Sequence, residues 1–111
     1  MKEDVLVVLV TAPTLDEATS IGRTLVEERL AACANIVPGL RSIYRWQDAL
    51  QDEPEVLLII KTTAAYFDHL AQRVLELHSY ATPEVLALPV TQGVPEYVQW
   101  LIQQVGPKST S

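Results

Sequence analysis

The sequence predicts an α+β domain of the ferredoxin-like class: a βαββαβ sandwich with sheet order 4-1-3-2 and an added C-terminal helix. Three observations predict it. Two continuously apolar, β-branched runs, residues 5–10 and 56–60, read as central strands. Two stretches, 14–32 and 64–78, carry apolar residues at helical spacing and each follows a strand. A strand interrupted by Pro89 and one arm of a long hairpin belong at the sheet edges. Right-handed crossovers then put both main helices on the same face.

Taken in order, the first strand ends before Thr14, which with Glu17 forms a capping box that opens the first helix. Ala18, Ile21, Leu25 and Val26 give this helix its stripe, and it is expected to run to about Ala32. Two long strands follow, 33–46 and 55–63, joined by a polar turn. A straight 33–46 strand would span about 46 Å, whereas a 111-residue domain has a diameter of about 34 Å. The ribbon must bend, overhang its core, or both. Pro38-Gly39 is the expected bend, because Pro donates nothing to a ladder and Gly tolerates bulge dihedrals. The overhang carries Tyr44 and Trp46, which are costly to leave in water, and a second copy of the chain is the simplest cover.

Residues 64–78 place Phe67, Leu70, Ala71, Val74 and Leu77 on one helix face, with His78 on the inward stripe and His69 toward solvent. Residues 84–90 form the edge strand. Val94-Pro95 opens the last helix and Gly106-Pro107 ends it; residues 108–111 are expected to be a disordered tail. The whole chain, 1–111, reads as one domain. Because the central strands are apolar on both faces and the two main helices cover only one, another subunit's sheet is the economical cover for the other.

Composition narrows the function classes. The chain is 49% hydrophobic and 20% charged, with a net charge of −6, which argues against nucleic acid or anionic membrane as partner. No run approaches the length of a membrane span, and the N-terminus lacks the basic flank of a secretory signal. A single cysteine permits no intrachain disulfide, so a reducing, cytoplasmic location is expected.

Ala32-Cys33-Ala34-Asn35-Ile36-Val37-Pro38, Ser42-Ile43-Tyr44-Arg45-Trp46 and Glu55-Val56-Leu57-Leu58-Ile59-Ile60-Lys61-Thr62 together resemble the signature of the CutA divalent-cation tolerance family. The similarity continues through His78-Ser79-Tyr80-Ala81-Thr82-Pro83-Glu84, Leu88-Pro89-Val90 and Tyr97-Val98-Gln99-Trp100-Leu101. The resemblance implies a tight homotrimer with paired hairpins, clefts between subunits, and a role in binding copper or other divalent cations. Architecture alone is also similar to the trimeric PII-type signalling proteins. The chain departs from the family where His-Pro-Tyr-Glu is replaced by His78-Ser79-Tyr80-Ala81, losing a carboxylate, and at the turn Gln47-Asp48.

Candidate metal ligands are Cys33, His78 and Glu84. A thiolate suits copper(I) or zinc, yet Cys33 also fits a small buried side chain, and His78 fits a helix-terminal imidazole. One cysteine, two histidines and no CxxC or HExxH spacing argue against a closed four-ligand site within one chain; a site shared between subunits stays open. No tightly bound cofactor is expected, only copper or another divalent cation. Tyr44, Trp46, Lys61 and Trp100 are the candidate cleft residues, with plain packing or a salt bridge as the alternative for each. Arg41 and Arg45 share a strand face, where they either meet an anion or keep an edge solvated. With no legible nucleophile-base arrangement or phosphate loop, catalysis is not expected. The leading expectation is a trimeric metal-tolerance protein. A sensor or adaptor holding a small anion, or a scaffold for a protein partner, are the alternatives.

Overall fold

The computed structural model describes residues 4–108. In chain order it contains β1 (Val5–Ala12), α1 (Leu15–Glu27), β2 (Cys33–Trp46), β3 (Ala49–Thr63), a 3-10 turn at Ala64–Tyr66, α2 (Phe67–Leu77), β4 (Val85–Pro89) and α3 (Pro95–Gln104). The sheet is antiparallel with order β2-β3-β1-β4, as the sequence predicts. Lys108 carries no regular structure; the rest of the expected tail, 109–111, lies outside the described residues.

Three elements depart from expectation at their ends. The first helix stops at Glu27, not near Ala32, because a Schellman motif closes it: Arg29 N–H donates to the Val26 carbonyl and Leu30 N–H to that of Leu25. Arg29 takes the left-handed conformation (φ 60°) that glycine usually supplies there. The second helix is preceded by a 3-10 turn and ends at Leu77, so His78 caps it with extended backbone instead of continuing its stripe. Most consequential, β3 begins at Ala49, six residues before the predicted start at Glu55. Only Gln47 and Asp48 join the arms, both at positive φ (49° and 63°), the geometry of a type I′ turn. Residues 49–54 are exposed apart from half-buried Gln51.

The ribbon both bends and overhangs. Val37 pairs with Leu57 but Leu40 pairs with Glu55, so one extra residue sits at Pro38-Gly39, with Gly39 at φ 87°. The protomer extends over 53 × 26 × 22 Å. The bulge also changes which residues face together. Cys33, Asn35 and Val37 share a face with Leu57, Ile59 and Lys61; beyond the bulge that face passes to Leu40, Ser42, Tyr44 and Trp46.

Helices α1 and α2 bury the opposite face of the sheet, where Val8, Val10, Leu58 and Ile60 meet Ile21, Leu25, Leu70 and Val74. The face they leave open is apolar in its middle, and Leu86 and Leu88 there are 59% and 51% exposed. The chain itself covers one end of this face. Leu101 of α3 packs with Val5 and Ala32, and Arg29 ties the helix down through its side chain to the carbonyls of Gly106 (2.6 Å) and Gln103 (2.8 Å).

Candidate functional site

The other end of the open face forms a cleft of about 540 Å³ between the hairpin and the segment linking α2 to β4. Tyr44 and Trp46 reach it from β2, Glu55 from β3, and Tyr80 and Glu84 from the linking segment. A second cavity, of about 520 Å³, lies beside the β4–α3 connection and contains none of the predicted site residues.

Glu55 is the deep group. It is 7% exposed, and its Oε2 accepts the Tyr80 hydroxyl at 3.0 Å. Tyr80 is aimed there by an unusual anchor. The Tyr80 backbone N–H donates to His78 Nδ1 (3.0 Å), which leaves the imidazole proton on Nε2 to donate to the Thr11 carbonyl (2.7 Å). Glu17 holds the same corner by accepting from both the backbone N–H and the hydroxyl of Ser79 (3.0 and 2.9 Å). The capping box is therefore half-formed: Thr14 accepts from Glu17 N–H at 3.1 Å, while the Glu17 carboxylate serves the distant segment.

Burial, then the hydrogen bond and charge of Glu55, push the Tyr80 phenol up to about 12 from an ordinary value near 10. The neutral phenol is the favoured form in the fold. Its contribution is complete below pH 10 and is lost as pH rises through 12. Denaturant melts between pH 9 and 12 are expected to show wild-type stability falling across that window and Tyr80→Phe falling less. Parallel curves for the two proteins would show that Tyr80 carries no linkage.

The predicted residues divide between the two ends of the open face. Tyr44, Trp46 and Glu84 converge on the cleft. Cys33 and Lys61 pair in register at the start of β2, where the Lys61 ammonium donates to Asn35 Oδ1; burial first and Cys33 second raise the Tyr97 phenol above its usual range. Trp100 lies on α3, its ring 5.6 Å from that of Tyr97. His78 is buried with both ring nitrogens engaged, and binding a metal there requires breaking one of those bonds. Among the described residues, no group of three or more His, Cys, Asp or Glu side chains is placed to hold a metal ion. Arg41 and Arg45 point to the opposite face of the hairpin, where Arg41 makes a bidentate pair with Asp52 (2.7 Å). Sequence reasoning missed Glu55 and Tyr80. Glu55 was findable as an acid sharing the alternation of Leu57 and Ile59; nothing local marks Tyr80.

A family profile described as "CutA1 divalent ion tolerance protein" matches residues 6–104. The chain belongs to the CutA family. It is 52% identical over 100 residues to the divalent-cation tolerance protein CutA of Thermus thermophilus, covering 90% of this chain and 97% of that protein. It is 44% identical over 96 residues to a chloroplastic CutA of Arabidopsis thaliana, covering 86% of this chain but 53% of the relative, so it spans about half the length of the plant protein. The solved T. thermophilus structure superposes with a TM-score of 0.90 at 51% identity over 92% of this chain and 99% of that one. The CutA1 structure from Oryza sativa superposes at 0.91, with 40% identity over 93% and 94%. These CutA structures share the fold predicted from the sequence. No helix among the described residues is long and apolar enough to cross a membrane.

Proposed function

We propose that this chain works as a cytoplasmic homotrimer that holds copper or other divalent cations weakly, contributes to metal-ion tolerance and catalyses no reaction. The observation that carries the reading is the CutA match along residues 6–104. The open sheet face supports assembly. Burying a large apolar side chain stabilises by roughly 1.5–3 kcal/mol, and Leu86, Leu88 and Val37 offer three on that face of each copy. A half-buried Cys33 at the start of β2 supports a soft cation bridged between copies, since among the described residues of one protomer no metal-holding group of His, Cys, Asp or Glu forms around it. The net charge of −6 per chain favours cations over anions as general partners.

The test is calorimetric titration of copper into the assembled protein, with sedimentation at micromolar concentration as a companion. Cys33→Ser is expected to weaken binding at least about tenfold, a loss of about 1.4 kcal/mol, while the sedimenting species stays trimeric. Unchanged copper affinity in Cys33→Ser and in His78→Ala would remove both residues from the account. A folded monomer at micromolar dilution would remove the shared site.

A further inference from the structure

We infer that the cleft between the hairpin and the Tyr80 segment is a binding site for small organic cations, with an ammonium head on the Glu55 carboxylate and the rings of Tyr44 and Trp46 as its wall.

Three properties of the cleft lead there. The first is sign. Among the described residues, its ionisable lining consists of the carboxylates of Glu55 and Glu84 and the phenols of Tyr44 and Tyr80, with no Lys, Arg or His. Lys61, the cation that an anionic ligand would need, is at the opposite end of the open face. Glu55 is more than nine-tenths buried, and its hydrogen-bond partner is a neutral phenol. No basic side chain among the described residues forms an ion pair with it. A buried carboxylate held by one neutral donor is a charge awaiting a counter-charge. The second property is size. About 540 Å³ is the volume of a small-molecule pocket, far beyond what a bare ion fills. A hard divalent cation asks for six or more oxygen ligands at about 2.0–2.6 Å, and the donors here do not form such a group. The third is the wall. Tyr44 and Trp46 lie on the same hairpin face as Glu55, half-exposed at 37% and 54%. Aromatic faces beside an acid are the recurrent way proteins hold alkylammonium groups.

The site lies apart from Cys33, the copper ligand proposed at the other end of the sheet, and touches the copper reading only through His78, which anchors Tyr80. The test uses the full-length assembled protein with Trp100→Phe, so that emission reports Trp46 alone. Tetramethylammonium chloride and 1,4-diaminobutane are titrated against sodium and magnesium chloride at matched ionic strength. A saturable change with the two organic cations, absent with the inorganic ions, is expected. Glu55→Gln should weaken it at least about tenfold and the surface change Glu84→Gln by about two- to threefold. Tyr44→Leu, at an exposed ribbon position, should also weaken it severalfold and keeps the proposal testable if Glu55→Gln misfolds. An equal response to magnesium, no saturation with either amine, or undiminished binding in both Glu55→Gln and Tyr44→Leu would overturn the site. So would a second copy's side chains occupying the cleft, because the amines would then give no signal. Copper affinity should be unchanged in Glu55→Gln, so failure of one reading leaves the other standing.

Discussion

Leu58→Ala is expected to remove about 3–5 kcal/mol from the stability of the fold. Leu58 is fully buried on β3, paired with Val10 on one side and Ile36 on the other. Helix α1 crosses directly above it at Gly22, where an added Cβ would stand 3.1 Å from Ala34 Cβ and 3.6 Å from Leu58 Cδ2. Helix and sheet are thus already at closest approach, and the walls have little freedom to collapse into the space a shortened side chain leaves. Guanidinium unfolding at fixed protein concentration measures the effect, with Leu50→Ala on the solvated hairpin expected within about 0.5 kcal/mol of wild type. A loss below about 1.5 kcal/mol for Leu58→Ala would mean that the centre of the sheet relaxes far more than its packing implies.

Gly106→Ala is expected to cost about 2–3 kcal/mol and to act mainly on α3. Gly106 sits at φ 87°, where a side chain adds strain, and a Cβ there would lie 2.8 Å from the Tyr66 hydroxyl and 3.0–3.1 Å from its ring. The same residue receives the Arg29 guanidinium and donates its N–H to the Arg29 carbonyl (2.8 Å). Displacing it loosens the clamp that presses Leu101 onto Val5 and Ala32. Hydrogen exchange should then accelerate in α3 while the β1–β3 ladder stays protected. Uniform acceleration across both would show that α3 is not a separable unit.

Most of the fold was legible because the central strands and both main helices announce themselves by period: residues 5–10 of β1 and 56–60 of β3 are uninterrupted Val, Leu and Ile, and Pro89 marks an edge. The outer hairpin was half-legible. The span of residues 33–46 against the expected diameter required a bend, an overhang or both, and Pro38-Gly39 located the bend, yet Ala49–Pro54 reads as a loop. Strand propensity there is overridden by a two-residue turn that brings the arms into pairing. The site was less legible still. Tyr44, Trp46 and Glu84 do share a cleft, but Lys61, Cys33 and Trp100 belong to the far end, because residues 33–37 and 40–46 are separated by the length of the ribbon. Glu55 and Tyr80 meet through a corner built from His78, Thr11 and Glu17. The corner's contacts from Thr11 to His78 and from Glu17 to Ser79 join residues more than sixty positions apart, and no local pattern encodes them.

The type I′ turn at Gln47-Asp48 also has a kinetic consequence. It makes the β2–β3 pairing the most sequence-local in the sheet, whereas β1 must form pairs as distant as Leu6 with Pro89. Closing short loops takes far less entropy than closing long ones, and hairpins form in about 1–10 μs. The ribbon should therefore zip from its tip inward and stand as a finished template before the first and last strands arrive.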